Sequence, residues 1–184
     1  MMDRDRVAAL AAEVRLDGDG EALKSRELIL TLLAMTAAPF SRNQFTPGHI
    51  TATGLVLAPD GERVLLVHHR RLDRWLLPGG HVESGDAAIW DTARREVEEE
   101  TGAQLVPDAA PPLVSLDVHG IPARGAEPYH LHHDMAFHWR ALAEELRVSE
   151  ESRAVVWCRP EEFDRYGVPG NVRRSWARVM GQQA

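Results

Sequence analysis

The sequence predicts an α/β fold preceded by a helical extension, and three observations predict it. Apolar, β-branched runs at 50–57, 63–69, 113–119, 131–142 and 154–158 have the length and composition of strands. A long polar helix with a glycine stop interrupts them after the second run, and another helix closes the chain. The first 38 residues carry helical segments and no strand signature.

Taken in order, a first helix is expected over Asp3–Arg15, ended by the turn signal Asp17-Gly18-Asp19-Gly20. A second is expected over Glu21–Ala38, with Leu23, Leu30 and Leu33 among its apolar positions and Pro39 as its stop. These leucines need burial, either on the core or against a second copy of the chain, so a homodimer is one expectation. The extension is assigned to residues 1–45 and the main domain to 46–184. Phe40–His49 reads as a linker. Ile50–Leu57 and Arg63–His69 then form a hairpin about Asp60-Gly61. His68, His69, Arg70 and Arg71 crowd the end of its second strand. The apolar run Trp75-Leu76-Leu77 leads into Pro78-Gly79-Gly80, read as a tight loop, and a helix follows from about Asp86 to Thr101 with Gly102 as its C-cap. Leu105-Val106 and Leu113–His119 are the next strand candidates. Gly120–Pro128 is a loop, Leu131–Leu142 a strong strand, Ala154–Cys158 a further strand, and Pro169–Met180 the final helix.

Composition narrows the function. A net charge of −7 argues against stable nucleic-acid binding. Cys158 is the single cysteine, which excludes an internal disulfide framework. The start lacks the apolar core of a signal peptide, and Leu28–Phe40 is too short and too polar to span a bilayer, so a cytoplasmic protein with no membrane association is expected. Lys24 is the only lysine. Positive charge is therefore almost all arginine, whose planar fork suits bidentate phosphate contacts.

The helix over 86–101 is the chemically loaded element. Glu96, Glu99 and Glu100 are spaced to share one face, while Glu98 points to solvent. Like charges at these spacings, close to a helix C-terminus, are unfavourable. Arg95 can pair with Glu99 and Arg94 with Glu98, but no cation lies four residues before Glu96 or Glu100. A hard divalent cation resolves the crowding, and Mg²⁺ suits such oxygen ligands.

The stretch Gly79–Ala103, GGHVESGDAAIWDTARREVEEETGA, resembles the Nudix box, G-x5-E-x7-R-E-U-x-E-E-x-G-U with U a bulky aliphatic. Gly80, Arg95, Glu96, Val97, Glu99, Glu100 and Gly102 occupy matching positions. Asp86 stands where the first Glu belongs, one extra residue separates it from Arg95, and Ala103 replaces the final aliphatic. The resemblance implies an α/β/α sandwich with a mixed sheet over about residues 48–180. It implies Mg²⁺-dependent hydrolysis, with Mn²⁺ as a substitute ion, of the diphosphate bond in a nucleoside diphosphate linked to a group X. Glu96, Glu99 and Glu100 would hold the ion, with the Gly80 carbonyl as an additional ligand, and Asp86 would support the loop or bind the metal through water. Arg95 would orient the glutamates, and Glu96, or Glu127 from outside the box, would act as base. The alternative within the family is a nucleotide-binding sensor without catalysis.

On the strand 131–142, Leu131, His133, Met135, Phe137 and Trp139 alternate with His130, His132, Asp134, Ala136 and His138. The first set reads as core. The second is a polar row suited to lining a cleft, binding phosphate or holding a transition metal. His130, His132 and Asp134 are therefore candidate substrate contacts, together with Arg70, His81 and Glu127. The chain also resembles a group of Nudix proteins with a PGH-I-T-A opening, here Pro47–Ala52, and this H-x-H-x-D strand. That resemblance names no substrate.

Overall fold

The computed structural model describes residues 2–182. Among these, the helices are α1 (Arg4–Glu13), α2 (Gly20–Met35), α3 (Ile89–Thr101) and α4 (Gly170–Gln182). The strands are β1 (His49–Leu57), β2 (Val64–His69), β3 (Arg74–Leu76), β4 (Gly79–His81), β5 (Leu113–Ile121), β6 (His130–Arg140) and β7 (Ser152–Cys158).

One mixed sheet runs β3-β2-β1-β6-β5, with β4 also on β1 and β7 also on β2. β1 is the axis. It lies parallel to β6 along its whole length, from His49↔His132 to Leu57↔Arg140. Its other edge is shared. β2 meets it at Leu57↔Val64 and then continues between β3 and β7. β4 takes the edge near the start of β1, pairing Thr51↔His81, Ala52↔Gly80 and Thr53↔Gly79.

Because strand side chains alternate, β1 and β6 each feed two cores. Ile50, Ala52 and Val56 join Met135 and Phe137 under α1, α2 and α3. Leu55 and Leu57 join Ala136 and Val114 beneath Val172 and Val179 of α4. The result is an α/β/α sandwich.

The extension is docked on this sandwich. Ile29, Leu32 and Leu33 of α2 are fully buried in the first core. Ser25 Oγ accepts the backbone N–H of Val118 at 3.1 Å, so α2 satisfies a donor on edge strand β5. Asp19 accepts from the Ala22 N–H at the head of α2 and also pairs with Arg174 and Arg178 of α4.

Several local readings are corrected. Gly79 and Gly80 belong to a strand rather than a loop, because β1 offers them a partner. The box helix begins at Ile89, leaving Asp86 in the preceding loop. α1 and α2 end at Glu13 and Met35, before the expected Arg15 and Ala38. Leu105 forms one bridge to Ala141 instead of a strand. Arg94 pairs with Asp91, three residues back, and not with Glu98.

Candidate active site

A cavity of about 600 Å³ opens on the α4 face of the sheet. Its floor is Thr51 and Thr53 of β1 with His132 and Asp134 of β6, and its acidic wall is Glu96, Glu99 and Glu100 of α3. Gly79, Gly80 and His81 of β4 join floor to wall, and Arg42, Arg70, Arg71 and Arg124 line the cavity from the loops and the end of β2.

Arg95 organises the acidic wall. Its guanidinium donates to both oxygens of Asp86 at 3.2 Å, to Glu96 Oε1 at 2.9 Å, to Glu99 Oε2 at 3.2 Å and to the His81 carbonyl at 2.9 Å. Glu96 therefore does have a cation partner, from its immediate neighbour rather than from the preceding turn. Asp86 also accepts from the Glu83 N–H and from Thr92 Oγ1. Both its oxygens are occupied, and it does not line the cavity. The shorter acid in the loop before α3 buttresses Arg95 from behind instead of reaching the space where an ion would sit.

Glu100 is different. It is only 5% exposed, and its Oε2 has no hydrogen-bond partner. Burial, with the negative charges of Glu96 and Glu151, pushes its carboxyl up to about 8. Burial also raises Glu96, against the pull of Arg95. Gly80 is held close: a Cβ there would lie 2.5 Å from Glu96 Oε1. Three carboxylates around one orphaned buried oxygen form a donor set that fits a hard divalent cation.

The other candidates separate clearly. His132 and Asp134 line the cavity, but both oxygens of Asp134 accept hydroxyl protons, from Thr51 at 2.9 Å and Thr53 at 2.8 Å. His130 lies outside the lining, stacked on His49 with ring centroids 5.2 Å apart. Arg70 lines the cavity and donates to the Ser152 carbonyl at 3.2 Å. Glu127 is outside the lining and paired with Arg71 at 2.8 Å.

Sequence reasoning passed over Glu151 and His49. Glu151 lines the cavity and lies close enough to raise both Glu96 and Glu100. It sits in a charged turn, and only the pairing of β7 with β2 brings it to the site. His49 opens β1 on the same face as Thr51 and Thr53, a parity readable from the sequence once the strand is started one residue earlier.

Comparisons with known proteins agree with this architecture. A sequence model described as the NUDIX domain matches residues 48–176. Nucleoside triphosphatase NudI of Escherichia coli is 30% identical over 106 residues, covering 55% of this chain and 73% of that protein. The NUDIX domain of Shewanella oneidensis NrtR, solved with ADP ribose, superposes with a TM-score of 0.54 at 17% identity, over 82% of this chain and 98% of that one. A NUDIX hydrolase from Nitrosomonas europaea superposes with a TM-score of 0.53 at 17% identity, over 72% and 88%.

Proposed function

The chain belongs to the Nudix hydrolase family, and on that premise we propose that it hydrolyses the diphosphate bond of a small nucleoside diphosphate derivative in the cavity on the α4 face of the sheet, walled by the glutamates of α3, with Mg²⁺ as cofactor and Mn²⁺ as a substitute. The observation that carries this reading is the buried, unpartnered Glu100 Oε2 beside Glu96 and Glu99. Glu96, Glu99 and Glu100 would hold the ion; the Gly80 carbonyl, expected as a further ligand, is turned towards β1 in the ladder opposite Ala52. A divalent cation in such a site neutralises the diphosphate and makes bound water more acidic.

The chain's own residues do the rest. Arg95 holds Glu96 and Glu99 in position while anchored to Asp86 and the β4 backbone. The arginines lining the cavity would meet the phosphates, Arg70 and Arg71 from positions held by the Ser152 carbonyl and by Glu127. Attack of water on phosphorus needs a proton acceptor. Glu96, or Glu151 from the same cavity lining, would accept it, whereas Glu127 is tied to Arg71 away from the lining. The P–O bond of the anhydride breaks, leaving a nucleotide and a phosphorylated X. A cavity of about 600 Å³ is of nucleotide size. The nucleoside triphosphatase activity in the name of the E. coli relatives supports testing nucleoside triphosphates first, beside ADP-ribose and dinucleoside polyphosphates.

The test is a hydrolysis panel of these compounds with Mg²⁺, with Mn²⁺ and with EDTA, products separated by chromatography. Turnover is expected with either ion and none in EDTA. Glu100→Gln is expected to lower kcat by about 100-fold or more, the scale of losing a group that stabilises transition-state charge. Turnover that survives both EDTA and this substitution would overturn the assignment.

A further inference from the structure

Beside the carboxylate wall lies a second cluster with a different chemistry. One ring nitrogen from each of His49, His81 and His132 lies within 4.8 Å of the other two. Their ring centroids are 4.9 Å (His49–His132), 5.1 Å (His49–His81) and 5.2 Å (His81–His132) apart. The three come from β1, β4 and β6, and β1 lies hydrogen bonded between the other two strands. In that register His49 is opposite His132. The approach is tight: a Cβ at Gly48 would collide with the Leu131 carbonyl.

His49 is the informative member. It is 1% exposed. Its Nδ1 is engaged by the Gln44 carbonyl at 3.1 Å, which fixes the proton on Nδ1 and leaves Nε2 a bare lone pair. Nε2 is buried with no hydrogen-bond partner. A packing role for these rings would leave that lone pair unsatisfied, at a cost of about 1–3 kcal/mol.

We propose that His49, His81 and His132 hold a borderline transition ion of the Zn²⁺ class, in a second site separate from the carboxylates and opening on the same cavity. Three neutral imidazoles bring nitrogen donors and no negative charge, a set that favours Zn²⁺ and its neighbours over Mg²⁺. Three imidazoles enclosed this close together cannot all carry charge, and the Gln44 carbonyl already holds the proton of His49 on Nδ1, so the cluster offers lone pairs. Zn–N bonds of about 2.0–2.1 Å require each ring to move inward by about an ångström. His81 and His132 line the cavity, so the fourth coordination position faces it. Resting on the diphosphate reading above, that position takes a phosphate oxygen of the substrate. Asp134 is not a ligand, since both its oxygens are held by Thr51 and Thr53.

The experiment uses the full chain, stripped with chelator and kept in millimolar Mg²⁺ to occupy the carboxylates. Zn²⁺ is titrated against a chromophoric chelator, and Co²⁺ is added separately as a spectroscopic probe. One Zn²⁺ per chain is expected, with a Kd of about micromolar or tighter, and Co²⁺ should show the intense visible bands of a four-coordinate site. His132→Gln and His81→Gln, made separately in case one fails to fold, should each weaken Zn²⁺ by about 100-fold or more and abolish the bands. Glu100→Gln should leave Zn²⁺ binding within a few fold. Circular dichroism and Mg²⁺-induced thermal stabilisation of the histidine variants report that the fold and the acidic wall persist. No Zn²⁺ binding below about 0.1 mM, or binding lost in Glu100→Gln and kept in both histidine variants, would overturn the proposal. The titration contains no nucleotide, so its outcome is separate from that of the hydrolysis panel.

Discussion

Glu100 ties stability to pH and to metal. Its carboxyl is held near 8 in the fold, against 4.5 for the free side chain, chiefly by burial and then by Glu96 and Glu151. As pH rises above 4.5 the unfolded chain releases this proton first, so the native state binds more protons and stability must fall. The fall levels off above about 8. In EDTA, wild type should therefore lose thermal stability from pH 5 to pH 8 relative to Glu100→Gln, which has no proton to release. Saturating Mg²⁺ should reverse the order at pH 8. At 100 times its Kd, a ligand adds about 2.7 kcal/mol, and the variant forfeits part of that. Parallel melting profiles for both proteins across pH, with equal gains from Mg²⁺, would remove Glu100 from the site. Arg95 offers a second test. Arg95→Lys keeps a charge but not the fork that reaches Asp86, Glu96, Glu99 and the His81 carbonyl together. It should cost about 2 kcal/mol by urea unfolding at unchanged m-value. An unfolding free energy changed by less than a few tenths of a kcal/mol would show that the fork is not what holds the wall.

At the scale of elements, α2 and β5 provide the clearest single contact. Ser25→Ala removes the acceptor for the Val118 N–H and should cost about 1 kcal/mol while leaving turnover unchanged. An unaltered unfolding midpoint would mean that water replaces the hydroxyl. What was readable from the chain follows the strength of each element's own pattern. α3 was legible because charge spacing and the Gly102 cap are local, and Gly102 does adopt the left-handed conformation. The alternation of β6 was legible because it is a property of the strand alone, and Met135 and Phe137 do lie in the core, but the opposite row is only partly a cleft face: Ala136 is buried in the second core and His130 lies outside the cavity lining. β4 was not legible. Gly-Gly-His has no alternating pattern, and only β1 beside it makes those residues a strand. Asp86 lies outside the helix because α3 begins only at Ile89. His49 was missed because the strand was started one residue late, and Glu151 because only the pairing of β7 with β2 carries its turn to the site.

Over the whole molecule, the extension is part of the sandwich's first core and covers its β5 edge. Ile29, Leu32 and Leu33 leave water on the same side as Met135 and Phe137. Deleting residues 1–38 should leave the acidic wall formed by α3 and β4 in place. It should also expose those apolar partners and the Val118 N–H, lowering the melting temperature and promoting edge-to-edge aggregation. Thermal unfolding and sedimentation of the truncated chain test this, and unchanged values in both would show that the sandwich is complete without it. Among the described residues no helix is long and apolar enough to cross a membrane. The short β4 has a wider consequence. Gly80 presses on Glu96, while the next residue, His81, contributes its ring to the histidine cluster and its carbonyl to Arg95. Two consecutive residues of β4 thus touch both proposed cation sites, and with both ions bound, occupancy of one would bias the other. By thermodynamic reciprocity, whatever factor Zn²⁺ imposes on the affinity for Mg²⁺, Mg²⁺ imposes equally on the affinity for Zn²⁺.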